Sequence, residues 1–544
     1  MDFFSIVDSV HSRKTKEVFA CDVRVEIFGR RRLQMRVTSL IRVAFSSCVL
    51  LALPGCLHVG PKYHAPKPWS PAHFENLHSG NAFSMTEETK ISVQWWKTFN
   101  DPELTSLEER VATKNLSFLL ALANLSESRA QLMLAGAERF PALSATGSYR
   151  RAQRSEKLMQ ETLHRIGGGI VHGTHGQMGE LASGFIEEAG NTATVPLLNQ
   201  WSSSVDATYE IDLWGRVAHQ YQAAKAGLQA TEEERHAVLI AEEADMARGY
   251  LTLRGDQRRL LVMKEGVKVI QKISDIAQGR YKGGLVSAVD YESAQARLND
   301  TQAQIAEMNI KIAQEENALA LLLGEMPGSL NEELEKNVIT PVVPPVVPVG
   351  LPSELAHRRP DIREAEAKLR FAVEETGEAV ADFYPRVTIN ADFGFQTLSF
   401  RDLGFWNAKA WNVGPSISLP IFQGGRLSGQ LALKKGAQKA AAISYKQTVL
   451  QAWHDVDNAL TAYHDEQTRM QKLHDEIAND NHALKLAESQ YRSGLTNYLT
   501  VLSTEDQLLT AELALAENEA TVATSLARLY NALGGGWENE AQAE

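Results

Sequence analysis

The chain has 544 residues, a charged fraction of 22% and a formal net charge of −12 at pH 7. Both signs of charge are interspersed, so the chain is not basic enough to favour nucleic acid, and most charges are typical of solvated helix faces. No phosphate-binding glycine loop, zinc-protease helix motif or serine-nucleophile elbow occurs. Composition and motifs therefore predict a protein that is not an enzyme and that holds neither a metal nor a cofactor.

The N-terminal segment carries the pattern of a bacterial lipoprotein signal. From Met35 onwards, basic residues precede an apolar core at about 43–53, and Leu-Pro-Gly then leads into Cys56. This pattern predicts cleavage before Cys56 and attachment of lipid, including palmitate, to its thiol. A short membrane anchor with a chance cysteine is the alternative, and the sequence leaves open whether translation starts at Met1 or at Met35.

The segment that follows Cys56 is not helical in pattern. Up to Asp101 it is rich in proline, histidine and tryptophan, which predicts an extended leader lying on the body of the protein rather than a helix. No run of about 18 apolar residues follows Cys56, so the sequence predicts no transmembrane helix. A membrane crossing would have to be made of strands.

Each half of the chain predicts the same order of elements: helix, strand, loop, strand, long helix, glycine turn and return helix. In the first half we expect a helix at about 102–139, a strand at 142–150, a loop at 152–200 and a second strand at 205–213. The long helix follows at about 216–282, the glycine turn at 283–286 and the return helix at 287–323. In the second half we expect a helix at about 359–383, a strand at 386–396, a loop at 397–410 and a second strand at 412–421. The long helix follows at about 425–491, the glycine turn at 492–495 and the return helix at 496–533. The strand–helix junctions are predicted at Pro141, Gly215, Arg216, Pro385, Gly425 and Arg426.

The second long helix carries an apolar side chain at every seventh position from Val449 to Tyr491. The same ladder recurs 210 residues earlier, from Leu239 to Tyr281, where Ser274 is its one polar member. A seven-residue period is typical of a helix packed along its length against other helices. Each ladder belongs to a rod of roughly 100 Å. The sequence therefore predicts two copies of one architecture.

The four predicted strands have one apolar and one polar face. The second strand, for example, alternates Val205, Ala207 and Tyr209 with Asp206 and Thr208. Strands of this length suit tilted bilayer crossings, with lipid on the apolar side and water on the polar side. Four strands cannot close a barrel, and an open edge is not tolerated in lipid. The chain is therefore expected to oligomerise, and three copies would supply twelve strands.

Several motifs together resemble one known family. They are GPKYHAP after Cys56, WWKTFNDPELTSL, ERFPALS with DFYPRV, YEIDLWGR with LPIFQGGR, RRPDIREAE, and the paired segments RYKGGL and YRSGLTNYLTVL. In these motifs the chain resembles the outer-membrane efflux proteins, the TolC-like ducts, and most closely their lipoprotein branch of NodT type. The resemblance covers most of the chain from Cys56 to about Gly535.

The resemblance implies a mainly α fold with membrane β structure. Two repeats of long antiparallel coiled-coil helices plus four strands would assemble as a homotrimer. The trimer would form a 12-stranded outer-membrane β-barrel continued by a periplasmic α-helical barrel. The resemblance also implies a periplasmic membrane-fusion adaptor and an inner-membrane pump, of the proton-driven RND class, as partners, and no nucleic acid.

The resemblance further implies a gate at the periplasmic end, where the second long helix turns at 494–506. Aspartates are common at the narrowest ring of this family, but the matching positions here are Thr500 and Ser503, with Tyr498 near them. A ring of hydroxyl groups would bind cations less than a ring of carboxylates. Ordinary packing in a helical turn is the alternative role for Tyr498, Leu499 and Leu502.

Charged residues near this turn complete the gate prediction. Glu505 and Asp506 lie just beyond the hydroxyl ring and are an alternative source of negative charge. In the first repeat Asp290 occupies the position of Thr500, where it is expected to cap the return helix or to bond to the neighbouring turn. Opening is expected to be an iris motion that breaks hydrogen bonds near Arg492, Asp290, Glu505 and Asp506.

The exposed glycine turns at the ends of the long helices are predicted to dock the adaptor. These turns contain Gly283, Gly284, Gly494 and Leu495. The predicted function is an exit duct that passively conducts substrates from an inner-membrane pump across periplasm and outer membrane. A tethering lipoprotein without channel activity is the alternative, and a surface adhesin presenting loop 152–200 is a weaker one. The sequence does not specify the cargo, the pump or the adaptor.

These patterns divide the chain into six segments. They are an N-terminal extension with a signal peptide (1–55), a lipid-anchored leader (56–101), a first efflux repeat (102–324), a proline-rich linker (325–352), a second efflux repeat (353–535) and a polar tail (536–544).

Overall fold

The computed structural model describes residues 58–66, 85–87, 94–153, 155, 157, 161, 197–284, 287–335, 343–344, 346–349, 355 and 357–535. All of them belong to the larger of two compact units, which begins at His58. Cys56 lies outside the described residues, as do the polar tail and most of the predicted loop 152–200. None of the helices in the described ranges is long and apolar enough to span a membrane.

The helices are, in chain order, α1 (Pro102–Lys114), α2 (Leu116–Ala137), α3 (Arg216–Lys282), α4 (Ala288–Leu322), α5 (Asn331–Leu334), α6 (Pro360–Ala381), α7 (Arg426–Arg492) and α8 (Tyr498–Ala532). The strands are β1 (Met85–Glu87), β2 (Ala142–Ala152), β3 (Leu198–Ile211), β4 (Val346–Pro348), β5 (Arg386–Thr397) and β6 (Lys409–Ser418). Short 3₁₀ helices occur at Trp95–Phe99, Phe400–Asp402 and Trp406–Ala408.

Two helical hairpins of equal size carry the predicted repeat. The long helices α3 and α7 have 67 residues each, and the return helices α4 and α8 have 35 each. At about 1.5 Å per residue, each long helix extends for roughly 100 Å. Helix α8 packs against both α7 and α3, and α6 packs against the same two helices, so the hairpins share a continuous helical core.

The seven-residue ladder lies in this core for most of its length. Val449, Val456 and Tyr463 are buried, and the positions that follow on α7 are at least partly buried. In the first repeat the polar position Ser274 is buried as well, whereas Tyr281 at the end of the ladder is 45% exposed. The repeat is therefore confirmed, but its apolar seam ends before the tip of the first hairpin.

The predicted helix at 102–139 is in fact two helices. Asp101 caps α1 by accepting hydrogen bonds from the backbone N–H groups of Glu103 at 2.9 Å and Leu104 at 3.2 Å. Asn115 then leaves the helical conformation and caps α2 by accepting from the N–H of Phe118 at 2.9 Å. The apolar spacing continues across this break, which is why the periodicity did not predict it.

Strands β2, β3, β5 and β6 form one antiparallel sheet in that order. The predicted bounds of two strands were wrong. The β3 strand begins at Leu198 rather than 205, because serines without an apolar alternation still pair with β2, as Ser202 does with Ser148. The β6 strand spans Lys409–Ser418 rather than 412–421, and Pro420, which has no N–H to donate, lies just beyond its end.

The leader and the linker are more structured than predicted. β1 from the leader pairs in parallel with β4 from the linker. The leader also forms a 3₁₀ helix where an extended chain was expected, and its Trp95 stacks on Tyr530 of α8 with ring centroids 5.2 Å apart. Trp95, Trp96 and Phe99 are all buried in the main hydrophobic core, so this part of the leader is integral to the fold.

Candidate functional site

The tips of the two hairpins are tight turns that require glycine. Gly284 and Gly494 have φ values of 69° and 77°, which side-chain-bearing residues rarely adopt. A Cβ atom at either position would meet nothing within 4 Å, and Leu495 is 80% exposed. Gly283, by contrast, has an ordinary φ of −79°. The turns are thus accessible to a partner, and their role in docking stays a prediction.

Each return helix begins with a side-chain cap. Ser287 caps α4 by accepting from the N–H of Val289 at 3.2 Å. Asn497 caps α8 by accepting from the N–H of Thr500 at 3.1 Å and from its hydroxyl group at 2.8 Å. Asp290 lies in the first turn of α4, so the expectation that it caps this helix was wrong: Ser287 occupies that position.

The predicted gate residues separate into an exposed and a buried group. Thr500 and Ser503 are exposed, and the Ser503 hydroxyl donates to the backbone carbonyl of Thr500 at 3.1 Å. Tyr498 is only 1% exposed, and its ring lies 6.0 Å from that of Tyr491 on α7. Within one chain, therefore, the two hydroxyl residues face outward while Tyr498 packs between helices.

Two cationic side chains of the first hairpin contact the second hairpin near its tip. The guanidinium group of Arg280 lies over the ring of Tyr491, 4.3 Å from its centroid. Arg297 on α4 forms a salt bridge with Asp506 on α8. Arg492, in contrast, pairs with Glu488 of its own helix at 3.5 Å. Two of the polar contacts that join the hairpins near the tip thus come from Arg280 and Arg297, neither of which was predicted as a gate residue.

Sequence signals for these two arginines do exist. Arg280 lies within the RYKGGL motif, directly before the turn of the first hairpin. Arg297 follows Asp290 and Ala294 at helical spacing, so all three belong to one face of α4. What could not be deduced was that this face meets Asp506, because the packing of α4 beside α8 depends on both repeats.

Glu505 is a buried carboxyl in the same region. Its side chain is 5% exposed and forms no ion pair among the residues that the structure describes. Burial, followed by the negative charges of Glu512, Glu488 and Asp506, raises the pKa of Glu505 from its ordinary value to about 7. A substantial share of this carboxyl is therefore protonated at neutral pH.

The four-stranded sheet has an exposed apolar face. Leu143, Trp411, Val413 and Ile417 are between 60% and 73% exposed. The opposite face is polar: Thr146 bonds to Ser204 at 2.9 Å and to Asp206 at 3.1 Å. A sheet with one apolar and one hydrophilic face is suited to separate lipid from water.

No described strand pairs with the outer edges of this sheet. Among the described residues, β2 pairs with β3 alone and β6 pairs with β5 alone. Each outer edge therefore presents unpaired backbone N–H and C=O groups.

The junction between sheet and helices contains a charged cleft of about 330 Å³. Gly215 is the N-cap residue of α3 and has a φ of 85°. Arg216 donates two hydrogen bonds of 2.8 and 2.9 Å to the carboxylate of Glu210 on β3. The Trp214 indole donates to the carbonyl of Pro385 at 2.9 Å, which ties the two repeats together.

The second repeat builds this junction without an acidic partner. Gly425 begins α7 with a φ of 88°, and Arg426 donates to Gln423 at 2.9 Å. In the first repeat Pro141 is the last residue before β2, as Pro385 is the last residue before β5 in the second. Both repeats therefore have these residues at their junctions, and among the described residues Arg216 is ion-paired whereas Arg426 is not.

No group of three or more potential metal-binding side chains occurs within the described part of the chain. The site is thus a set of turns, inter-hairpin contacts and sheet faces. The packed helices and the two-faced sheet are suited to forming a wall.

Comparison with known proteins agrees with this geometry. The model of the family "Outer membrane efflux protein" matches residues 109–325 and 351–535. The antibiotic efflux pump outer membrane protein ArpC of Pseudomonas putida is 30% identical over 504 residues, covering 92% of this chain and 96% of ArpC. The probable outer membrane lipoprotein SilC of Salmonella typhimurium is 24% identical over 493 residues, covering 90% of this chain and 98% of SilC.

A solved structure of the outer-membrane channel OprN superimposes with a TM-score of 0.78 at 28% identity, covering 88% of this chain and 99% of that one. The family model, the near-complete coverage and the shared fold agree with each other. The chain belongs to the outer membrane efflux protein family and is an outer-membrane channel, the exit duct of an efflux system.

Proposed function

We propose that this channel is a homotrimer, that lipid on Cys56 anchors it, and that it conducts passively without catalysing a reaction. The proposed partners are a periplasmic adaptor and an inner-membrane pump of the RND class. The name of ArpC, an outer membrane protein of an efflux pump, supports a pump partner. The description of SilC as a probable lipoprotein supports lipidation. We assign no cargo, because in this arrangement the pump selects it.

The observation that carries this proposal is the open sheet with an exposed apolar face. Strands in lipid must satisfy every backbone hydrogen bond, so the free edges of β2 and β6 require other strands. In a ring of copies, β6 of one chain would lie beside β2 of the next. Three chains would give a closed sheet of twelve strands, with Leu143 and Val413 toward lipid and Asp206 toward water.

The helices next to these edges support the same arrangement. Helix α2 leads into β2, and α7 follows β6, so neighbouring copies would bring α2 beside α7. Both helices expose apolar side chains on the surfaces that no other part of the same chain covers. On α2 these are Leu116, Leu120, Met133 and Leu134, and on α7 they are Leu433, Ile443 and Leu450. Exposed apolar surfaces of this kind are typical of interfaces between subunits.

We further propose that the hairpin tips form the gate. In this proposal Thr500 and Ser503 line the narrowed end, while Arg280 and Arg297 hold the second hairpin against the first. The Arg280–Tyr491 and Arg297–Asp506 contacts join separate hairpins, so an outward motion of α7 and α8 would have to break both. An adaptor that docks at Gly284 and Gly494 could compete with these contacts from outside.

Planar-bilayer recordings of the purified protein test the proposal. We expect low conductance for the wild type and a several-fold higher conductance for Arg297→Ala and Arg280→Ala. Arg469→Ala is the matched control, since Arg469 is 53% exposed and its ion pair among the described residues is with Glu466 of its own helix. If neither the wild type nor any variant conducted, with or without an adaptor, the duct and its gate would be refuted in favour of a tether.

A further inference from the structure

One buried charge interrupts the apolar seam of α8 close to the hairpin tip. The side chains that α8 buries in this stretch are Tyr498, Val501, Glu505, Leu508 and Leu509, which recur at helical spacing. Four of them are apolar or aromatic, and Glu505 alone carries a carboxyl group. A carboxylate is costly to bury without a partner, so this position is a weak point in an otherwise apolar contact.

Glu505 lies between two separate apolar clusters. The tip cluster consists of Ile273, Ala277, Ala294, Ala487, Tyr491, Tyr498 and Val501. The upper cluster consists of Val262, Ile270, Leu298 and Leu509. Glu505 is four residues from both Val501 and Leu509, which is about 6 Å along the helix in each direction. The boundary between the two clusters therefore falls at Glu505.

The neighbouring hairpin is also polar at this boundary. Ser274 on α3 is 1% exposed and follows directly after Ile273 of the tip cluster. Its hydroxyl accepts a hydrogen bond of 2.8 Å from the side-chain amide of Gln295, which follows Ala294 on α4. We name Glu505, Ser274 and Gln295 the polar layer. Ser274 lies between Ile273 and Ala277 of the tip cluster, directly beside the boundary, and the half-buried Gln295 lies between Ala294 of the tip cluster and Leu298 of the upper cluster. Three helices thus place a polar side chain at or beside this boundary.

The charges that surround Glu505 do not neutralise it. Asp506 and Glu512 on its own helix and Glu488 on α7 are all acidic, and together with burial they disfavour its ionised form. The nearby cations are engaged elsewhere. Arg297 on α4 binds Asp506, Arg492 on α7 binds Glu488, and Arg280 on α3 lies over Tyr491. The Oε2 atom of Glu505 has no hydrogen-bond partner among the described residues.

We propose that the polar layer is a proton-sensitive hinge for the tip of the second hairpin. When Glu505 is protonated, α8 packs against α3 and α7 and the tip is closed. When Glu505 is ionised, the carboxylate must reach water, and the helix loosens at the boundary between the two apolar clusters. This proposal rests on the proposed gate at the hairpin tips, whose opening it would regulate.

The direction of the pH effect follows from the two environments of Glu505. In a loosened tip the exposed carboxyl has an ordinary pKa near 4.3, whereas in the packed tip burial raises the pKa to about 7. The packed tip is therefore most stable below pH 4.3. It loses stability as the pH rises toward 7, and above pH 7 the loss is complete. Acidity should close the gate, and neutral to alkaline conditions should loosen it.

Hydrogen–deuterium exchange of segment 490–505 measures the hinge without depending on conduction. After correction for the intrinsic exchange rate, we expect the protection of this segment in the wild type to fall by roughly tenfold or more between pH 5.5 and pH 8, since one pKa unit corresponds to a tenfold change. Glu505→Gln should keep the protection high at both pH values. Glu505→Met, which extends the apolar seam, should also keep the protection high at both pH values. This second variant keeps the test decisive if the glutamine variant folds poorly.

The matched control is Glu517→Gln, on the same helix, where the glutamate side chain is 58% exposed. This control should retain the pH dependence of the wild type. An equal pH dependence in the wild type and in both Glu505 variants would overturn the hinge. Bilayer recordings separate this outcome from failure of the gate: if no variant conducts, the gate proposal fails, while the exchange data still decide whether Glu505 controls the tip.

Discussion

Glu108 on α1 is a second carboxyl held away from water. Its side chain is 1% exposed, and neither of its oxygens has a hydrogen-bond partner among the described residues. Burial, followed by the charge of Glu243, raises the pKa of Glu108 well above its ordinary value. Below about pH 4.3 the group is protonated in both the folded and the unfolded chain. Above that pH the unfolded chain releases the proton first, so folding loses about 1.4 kcal/mol per pH unit until the folded pKa is reached.

We therefore expect Glu108→Gln to raise the thermal midpoint in detergent at pH 7.5 and to change it little at pH 4.5. The glutamine keeps the shape of the side chain but removes the cost of ionising it. Glu109→Gln serves as the control, because Glu109 is exposed on the same helix. A shift of the same size at both pH values would show that the effect of Glu108 is one of packing and not of proton binding.

At the scale of single residues, the sequence predicted positions better than contacts. The turn glycines agree with the structure, which also places the predicted gate residues Thr500 and Ser503 at exposed positions near the tip. Their role in gating stays a prediction. The cations Arg280 and Arg297 were missed because each acts on a side chain about 210 residues away. No local pattern encodes such a contact, whereas a turn that needs glycine is encoded by its own residues.

The close crossing of α3 and α8 gives a prediction at the scale of elements. A Cβ atom added at Gly255 would lie 2.3 Å from the Cβ of Ala520, so the two helices approach each other where a hydrogen atom replaces a side chain. Gly436 on α7 has nothing within 4 Å of such an atom. We expect Gly255→Ala to destabilise the protein by about 1–3 kcal/mol. The same substitution at Gly436 should stabilise it by about 0.5–1 kcal/mol, because alanine favours the helix.

Thermal unfolding in detergent compares the two alanine variants directly. Opposite shifts of the midpoint are expected, and each variant serves as the control for the other. If Gly255→Ala left the midpoint unchanged, α3 and α8 would have to be farther apart than the structure places them.

Long, strongly periodic elements were the easiest to predict. Both 67-residue helices match their predicted bounds within about one residue, because a ladder of apolar side chains and a glycine turn define each end. The break at Asn115 was not predicted, since the apolar spacing continues across it. The pairing of β1 with β4 was also missed, because a short parallel pair joins residues far apart in the chain and has no alternation of its own.

At the scale of the whole molecule, a single chain leaves several surfaces uncovered. Among the described residues the sheet ends on two unpaired edges, its apolar strand face is exposed, and α2 and the first part of α7 expose apolar side chains. Monomeric proteins rarely expose so much contiguous apolar surface. The lipid-facing strands explain one part of this surface. The helices lie outside the strands, so lipid does not account for their exposed leucines. In the proposed trimer a second copy would cover them, because the sheet order would bring α7 of one chain toward α2 of the next.

Leu134 on α2 tests this arrangement, since it is 72% exposed and lies close to the start of β2. We expect Leu134→Glu to shift the detergent-solubilised protein from three chains per particle to one, because a carboxylate would be buried without a partner at the proposed α2–α7 contact. Light scattering coupled to gel filtration measures the number of chains, and circular dichroism checks that the long helices remain folded. Leu134→Met is the matched control and should stay trimeric, because methionine has a similar volume and polarity. A wild-type protein with a single chain per particle, or a trimeric Leu134→Glu variant, would contradict the proposed contact between α2 and α7.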